Sequence, residues 1–367
     1  MKLTKYCILS AALISLTLSG CNNNTPSEPE DDGTATVFVL SGQSNMEGST
    51  TYVSESGDQW LRNAFTRLNQ EDSNLNLDIT PFEDADGNIS KNAPGVPEVL
   101  TSYYGFFPPN GVSSAHASNP TNKLAGKFLP TNVAMGSQDR FMGPEIGMSM
   151  IFRKHATEDK PIYLIKCAFS GSGFHSNAPT WAHNSTFSNY NKDENLYETY
   201  FAPFVSNNLK YIEEEIGRTP VIKGFLWHQG ETDSGSNTYK DELGGLVERF
   251  RSEYAEYAPD GDGQNIPFVD GYIYDGPNTP YSGSQDANGD ITVNKQKDLL
   301  AKEKDNNFVI NTSYHHEDGQ EKMELNINPQ PRTDVEGGYD NYHYKTYDSV
   351  RLGMAYAKMI IDNGYLD

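Results

Sequence analysis

Three short polar segments contain the side-chain types that acyl transfer requires. The first, Ser41–Met46, reads Ser-Gly-Gln-Ser-Asn-Met and offers a hydroxyl in a tight turn. The second, Trp227–Glu231, reads Trp-His-Gln-Gly-Glu and offers a side-chain amide donor. In the third, Asp340 and His343 are three residues apart, a spacing that lets the carboxylate accept the Nδ1 proton of the imidazole. Together they supply a hydroxyl nucleophile, a base, an orienting acid and an oxyanion donor.

The elements that must position these segments alternate between strands and helices. Five apolar runs are typical of buried strands: 36–40, 162–168, 221–228, 266–273 and 307–311. Helical patterns lie between or after them: 144–155, 200–216, 239–257, 293–304 and 347–361. Such alternation implies parallel pairing and helices on both faces of the sheet. We predict an α/β fold, a three-layer α/β/α sandwich with a central parallel sheet of about five strands. The first two polar segments then lie at the carboxyl ends of strands, where open α/β sheets bind ligands.

Residues 50–140 carry few periodic signals and many Asn, Gly and Pro. We predict that they form a long loop-rich insertion in a single domain spanning residues 35–367, and that substrate contacts come from such loops. Cys167 lies in one of the apolar runs, and we expect it to be a buried small side chain.

The first 20 residues have the features of a lipoprotein signal peptide. Two lysines precede an apolar stretch that is too short to span a bilayer, and small residues come directly before Cys21. This segment resembles a bacterial lipoprotein cleavage box, which implies lipid on Cys21; an ordinary secretory signal is the alternative. The polar residues of 21–34 are typical of a flexible tether. We therefore expect an envelope protein, at the outer membrane, in the periplasm or on the cell surface, that meets the membrane only through Cys21.

The net charge of −22, from 28 basic and 50 acidic side chains, excludes one class of partner. Nucleic-acid binding requires a basic surface, so we expect no nucleic-acid partner. The same charge opposes polyanionic substrates and favours neutral ones.

The three polar segments resemble the motif set of the sialate O-acetylesterase-like branch of the SGNH hydrolases. That branch includes the acetyl xylan esterases of carbohydrate esterase family 6. The resemblance extends from about Thr36 to Lys358, with the motifs in the family's order. It implies an SGNH fold of flavodoxin-like type, which agrees with the strand and helix pattern.

The resemblance also implies roles for individual residues. Ser44 would be the nucleophile, His343 the general base and Asp340 the residue that orients His343. Oxyanion donors would be the backbone N–H of Ser44, the side-chain amide of Gln229 and the backbone N–H of a glycine after the second predicted strand. Glu231 competes with Asp340 for the acid role; we interpret it as a buried polar anchor, with a supporting catalytic role as the alternative.

The glycine donor is less sharply defined. Relatives commonly have a Gly-Gly pair at this point, whereas this chain has Ser170 followed by Gly171. We select Gly171 as the donor, with Gly173 as the alternative.

The resemblance implies a carbohydrate O-acetylesterase that works through an acyl-serine intermediate, acts on a polysaccharide or glycan and needs no metal or organic cofactor. An esterase for another acyl group, a sialate O-acetylesterase and a non-enzymatic glycan-binding lipoprotein are the alternatives. We expect a monomer whose substrate is an acetylated carbohydrate.

Three Asp- and Gly-rich stretches are similar to parts of calcium-binding loops: 84–88, 260–263 and 286–290. None has the full spacing of twelve residues with a terminal Glu. We expect them to be turns, with structural calcium at one of them as the alternative.

Overall fold

The computed structural model describes residues 32–53, 59–104, 128–137, 140–175, 180–181, 195–276, 279–312, 331–332, 338–339 and 342–366. The predicted signal peptide, Cys21 and Asp340 lie outside the described residues. The elements below belong to the unit formed by Gly33–Asp367. Among the described residues, no helix has the length and apolar character needed to cross a bilayer.

A seven-stranded sheet with the order β4-β3-β6-β1-β7-β8-β9 lies at the centre of the fold. Its strands are β1 (Thr34–Gly42), β3 (Val96–Tyr104), β4 (Leu129–Thr131), β6 (Ile162–Ala168), β7 (Thr219–His228), β8 (Phe268–Gly271) and β9 (Asn307–Ile310). Neighbouring strands pair in parallel except at the edge, where β3 and β4 are antiparallel. Two small antiparallel pairs are β2 (Thr50–Thr51) with β5 (Phe141–Met142), and β10 (Pro331–Arg332) with β11 (Gly338–Tyr339).

Helices cover both faces of this sheet. They are α1 (Ser44–Glu47), α2 (Trp60–Glu71), α3 (Glu145–Phe152), α4 (Ala202–Tyr211), α5 (Tyr239–Glu253), α6 (Thr292–Ala301) and α7 (Thr346–Asp362), with π-helical segments at Tyr197–Phe201 and Ile212–Ile216. Successive side chains of a strand point to opposite faces. Accordingly, Val37 and Val39 of β1 pack with α4, α5 and α6, whereas Phe38 and Leu40 pack with α2, α3 and α7. The predicted three-layer α/β/α architecture is confirmed.

The sheet contains the five predicted strands, as β1, β6, β7, β8 and β9, and two further strands. One of these, β3, lies within residues 50–140 and pairs in parallel with β6, and α2 lies in the same range. Part of the range interpreted as an insertion is therefore built into the sandwich. Apolar periodicity missed β3 because polar side chains interrupt it; buried Thr101, for example, bonds to Thr131 of β4 at 2.7 Å.

Two glycines let α3 and α7 cross at close range on one face of the sheet. A Cβ atom on Gly147 would lie 1.9 Å from the carbonyl oxygen of Val350. A Cβ atom on Gly353 would lie 1.9 Å from the carbonyl oxygen of Pro144. Because α7 begins three residues after His343, this crossing also fixes where the chain enters the candidate site.

The Gly353→Ala substitution should destabilise the fold, because the new methyl group meets rigid backbone. We expect a loss of about 1–3 kcal/mol in the free energy of unfolding, the usual cost of overpacking, or more. Gly244→Ala in α5 is the matched control, since its methyl group meets only the flexible end of Leu300 at 3.3 Å. Alanine is favoured over glycine in a helix by about 1 kcal/mol, so this variant should match or exceed the wild type. Urea denaturation tests the pair; equal stabilities would contradict the role of the crossing.

Candidate active site

The first and third polar segments of the sequence meet at a cavity of about 310 Å³ beyond the carboxyl ends of β1, β6 and β7. Its lining residues come from five separate parts of the chain: Gln43, Ser44, Ser170, Gly171, Glu231, Thr232, Tyr281, Tyr342 and His343. The predicted nucleophile and the predicted base therefore share one cavity although 299 positions separate them in the sequence. Asp340, the predicted orienting acid, is outside the described residues.

The end of β1 is joined to the end of β7 at the cavity floor. Gly42 has a φ of +136°, and a Cβ atom there would lie 2.1 Å from the carbonyl oxygen of His228. Only glycine tolerates both the conformation and the approach. Directly afterwards, the backbone N–H of Gln43 donates to the same carbonyl oxygen at 2.9 Å. Ser44 then begins α1, so its own N–H lies outside the helical hydrogen-bond pattern and is available as an oxyanion donor.

Asn45 attaches the His343 loop to the Ser44 turn. Its buried Nδ2 donates to the carbonyl oxygen of Tyr342 at 3.1 Å, and its Oδ1 accepts the N–H of Tyr344 at 3.3 Å. Both backbone neighbours of His343 are thus held by one side chain. Asn45 was given no role from the sequence, although its position directly after the predicted nucleophile Ser44 was a signal.

Glu231 is buried beside this clamp. Its Oε1 accepts the second Nδ2 hydrogen bond of Asn45 at 2.7 Å and lies 3.6 Å from His228 Nε2. Burial raises the pKa of Glu231, while the hydrogen bond from Asn45 and the positive charge of Lys297 lower it. Among the described residues, its Oε2 has no hydrogen-bond partner. Glu231 does anchor the motif loops; a supporting catalytic role stays a prediction.

The loop after β6 brings Gly171 to the cavity, with a φ of +70°. Gly173, the alternative donor, does not line the cavity and instead packs against Asp233, whose Oδ2 would lie 2.8 Å from a Cβ atom at that position. The geometry therefore favours Gly171 over Gly173.

A buried carboxyl group holds this loop against α1. Glu47 Oε2 accepts both the N–H of Ser170, at 2.8 Å, and the Ser170 hydroxyl. Beneath it, Lys166 Nζ donates to the carbonyl oxygen of Glu47 at 2.9 Å and pairs with Glu145 at 2.9 Å. Sequence reasoning missed this group; a lysine within the apolar run 162–168 was the available signal, since a buried ammonium requires a carboxylate partner.

Gln229 does not reach the cavity. Its side chain is fully buried, and Nε2 contacts three acceptors: Gln43 Oε1 at 3.0 Å, the carbonyl oxygen of Ser172 at 3.2 Å and Asp233 Oδ2 at 2.8 Å. A primary amide has only two N–H groups, so none remains for a substrate. The structure thus disagrees with the predicted donor role of Gln229, because buried tertiary partners engage its amide.

The backbone at Gln229 is held by a second buried lysine. Lys297 Nζ donates to Asp270 Oδ1 at 2.9 Å and to the carbonyl oxygens of Gln229 and Gly271. It therefore ties the ends of β7 and β8 together. Burial raises the pKa of Asp270 to about 6, against the opposing effect of the Lys297 charge, and burial also lowers the pKa of His228, so that its imidazole is neutral.

The Asp- and Gly-rich stretches are closed turns in the structure. The Oδ1 atoms of Asp84 and Asp286 each accept the backbone N–H groups two and four residues further along, and Asp262 accepts the N–H of Gln264. Lys295 also pairs with Asp286. Within the described part of the chain, no group of three His, Cys, Asp or Glu side chains is placed to hold a metal ion. Calcium at these stretches stays a prediction.

Comparison with known families identifies the chain. The model of the family described as carbohydrate esterase, sialic acid-specific acetylesterase matches residues 116–362, two-thirds of the sequence. The chain belongs to this family. It is therefore a carbohydrate acetylesterase, a hydrolase, and the sequence-based resemblance is confirmed. No curated protein matches the chain.

Several solved structures are similar in fold. A protein of Arabidopsis thaliana is 16% identical, with 90% of this chain and 99% of that chain covered and a TM-score of 0.47. NanS is 13% identical, with 90% and 98% covered and a TM-score of 0.49. XAC1771 of Xanthomonas citri, described as a novel carbohydrate acetylesterase, is 14% identical, with 89% and 56% covered and a TM-score of 0.47.

The buried Glu47 should make the stability of the esterase depend on pH. Burial raises the pKa of Glu47 to about 8 from 4.5, so between these values the folded state holds a proton that the unfolded state has released. The free energy of unfolding then falls as the pH rises through this window. Glu47→Gln removes that proton uptake, so the wild type should lose stability relative to the variant between pH 5 and pH 8. Denaturation at several pH values measures the difference.

The control for this experiment is Glu71→Gln. Glu71 is exposed, and its pKa is lowered by the hydrogen bond from Tyr347 and by Arg67, so it is ionised in both states above pH 5. The difference in stability between Glu71→Gln and the wild type should stay constant from pH 5 to pH 8. A constant difference for Glu47→Gln as well would contradict the protonation of Glu47 in the folded state.

Proposed function

We propose that this esterase removes acetyl groups from a carbohydrate with Ser44 as nucleophile, His343 as general base and Asp340 as the residue that orients His343. The observation that carries the proposal is the shared cavity, which brings the hydroxyl of the Ser44 turn and the imidazole of the C-terminal loop to one place. Asn45 supports it by holding both neighbours of His343.

The proposed reaction has two steps. Ser44 Oγ attacks the acetyl carbonyl carbon while His343 takes its proton, and the bond to the sugar oxygen breaks as that oxygen receives the proton. Water then attacks the acetyl carbonyl carbon while His343 takes its proton, the bond to Ser44 Oγ breaks as Oγ receives that proton, and acetate leaves. The backbone N–H groups of Ser44 and Gly171 would donate to the oxyanion in both steps. These groups supply the chemistry themselves, so the proposed reaction requires no metal or organic cofactor.

A neutral acetylated sugar fits this cavity better than an anionic one. Two tyrosines, Tyr281 and Tyr342, form an aromatic wall with ring centroids 6.2 Å apart, a surface suited to the apolar face of a sugar ring. Among the described lining residues there is one carboxylate, Glu231, and no Lys or Arg. The net charge of −22 also disfavours the binding of an anionic substrate. An acetylated xylan-like polysaccharide is therefore the proposed substrate, and an O-acetylated sialic acid is the second candidate because of the family's description.

We also propose that lipid on Cys21 and the tether of residues 21–34 hold a monomeric esterase at the bacterial envelope. The short apolar stretch, the small residues directly before Cys21 and the polar composition of the tether support this placement. A polysaccharide outside the cytoplasm would then be within reach of the cavity.

Ser44→Ala should lower the rate of acetate release by more than about 10⁴-fold, because no other hydroxyl takes the nucleophile's place. Binding of the acetylated glycan should remain. The matched control is Ser41→Ala: the Ser41 hydroxyl donates to the carbonyl oxygen of Cys167 at 2.7 Å and does not line the cavity. That variant should keep its activity and lose about 1 kcal/mol of stability. Hydrolysis by Ser44→Ala at the wild-type rate would show that the proposed mechanism is wrong.

The two candidate substrates are separated by acetate release from acetylated xylan and from O-acetylated sialic acid. Faster release from xylan is expected, since the lining carboxylate repels the carboxylate of a sialic acid. Activity on sialic acid alone would contradict the proposed substrate and leave the roles of Ser44 and His343 in place.

A further inference from the structure

A chain of hydrogen bonds behind the cavity has a fixed direction. The indole N–H of Trp227 can only donate, and it lies 3.1 Å from the hydroxyl oxygen of Tyr239. Because that oxygen accepts from Trp227, the Tyr239 hydroxyl is free to donate its own proton to Gln229 Oε1, at 2.7 Å. The Gln229 amide is therefore oriented with its oxygen towards Tyr239 and its nitrogen towards the next residue in the chain of bonds.

That next residue is Gln43, directly before the nucleophile. Gln229 Nε2 donates to Gln43 Oε1 at 3.0 Å. The same oxygen lies 3.4 Å from the backbone nitrogens of Gly230 and Thr232, and 3.5 Å from the Thr232 hydroxyl. Backbone N–H groups only donate, so the atom facing them must be the amide oxygen. The orientation of Gln43 is therefore determined from both sides.

The amide nitrogen of Gln43, Nε2, is left for the cavity. Gln43 lines the cavity together with Ser44 and Gly171. Among the described residues, Gln43 Nε2 has no hydrogen-bond partner. It is not fully buried either, so a molecule in the cavity can reach it. An oriented –NH₂ group beside Ser44 is therefore unused within the described part of the chain and accessible from the cavity.

We propose that the side-chain amide of Gln43 is a third oxyanion donor of this esterase, and that Gln229 and Tyr239 are positioning residues that aim it. The inference rests on the proposed function of Ser44. During attack, the acetyl carbonyl oxygen gains negative charge and is met by the N–H groups of Ser44 and Gly171 and by Gln43 Nε2–H. The same three donors meet the oxyanion when water attacks the acetyl-serine, so both barriers are lowered.

Gln43→Glu is the sharpest test, because it separates the two ends of the amide. A glutamate keeps an oxygen for Gln229 Nε2 and for the loop N–H groups, and it removes the –NH₂ donor. We expect kcat for an aryl acetate to fall about 10²–10³-fold, as for loss of an oxyanion donor, with KM changed by only a few-fold. Wild-type kcat in this variant would overturn the proposal.

A transition-state mimic distinguishes donation to the oxyanion from a merely structural role. Phenylboronic acid forms a tetrahedral anion on a catalytic serine, so its inhibition constant should rise in Gln43→Glu by about the same factor as kcat/KM falls. If kcat falls and the inhibition constant stays at the wild-type value, Gln43 does not contact the oxyanion and the proposal is wrong.

Tyr239→Phe provides a second variant that leaves Gln43 itself intact. Without the hydroxyl, Gln229 loses the bond that orients it, so kcat should fall several-fold and boronate inhibition should weaken in parallel. Tyr254→Phe is the matched control, since that buried hydroxyl donates to the carbonyl oxygen of Ala202 at 3.0 Å, away from the cavity. Equal kcat in the two variants would contradict the positioning role.

The outcomes also separate this inference from the proposed function. If the wild type releases acetate and Ser44→Ala does not, the function holds whatever Gln43→Glu does. If Ser44→Ala stays active, the nucleophile assignment fails first, and the effect of Gln43→Glu on kcat then reports on a different mechanism.

Discussion

The candidate active site depends on one close approach between two strand ends. At Gly42 the backbone of β1 comes so near to the carbonyl oxygen of His228 that any side chain would collide with it. This contact, closed by the hydrogen bond from the N–H of Gln43, places the Ser44 turn directly over the Gln229–Glu231 segment. The hydrogen bonds from Asn45 to Glu231 and from Gln229 to Gln43 both cross this junction. One missing side chain thus permits the whole arrangement of donors and acceptors around Ser44.

Buried charges beneath the turn are neutralised locally. Lys166 is paired with Glu145, and Lys297 with Asp270, each pair lying under the carboxyl ends of neighbouring strands. Burying an ion pair is costly unless its hydrogen bonds are satisfied, and both ammonium groups also bind backbone carbonyl oxygens. The strand ends that carry the site are in this way fixed by charge-assisted hydrogen bonds rather than by apolar packing alone.

The sequence was sufficient for the strands that are apolar and for the motifs that are contiguous. Motif order and strand ends predicted that Ser44 and His343 would meet, and both line one cavity. Sequence reasoning missed β3, whose buried face carries hydroxyl groups that pair across strands, and it assigned the donor role to Gln229. The direction of an amide is decided by partners such as Tyr239, ten positions away and on a helix, and no local pattern encodes that contact. Glu47 was missed because its partner, Ser170, lies 123 positions away, and no local pattern encodes that contact either.

The directional chain of bonds behind the cavity has a consequence for the conditions in which the enzyme works. Trp227, Tyr239 and the two glutamine amides are uncharged, and burial raises the pKa of Tyr239 well above its usual value. Neutral dipoles shielded from solvent are hardly affected by dissolved ions, whereas exposed charges are screened by them. The orientation of the Gln43 amide should therefore depend less on ionic strength than any contact made by the exposed acidic side chains of this protein.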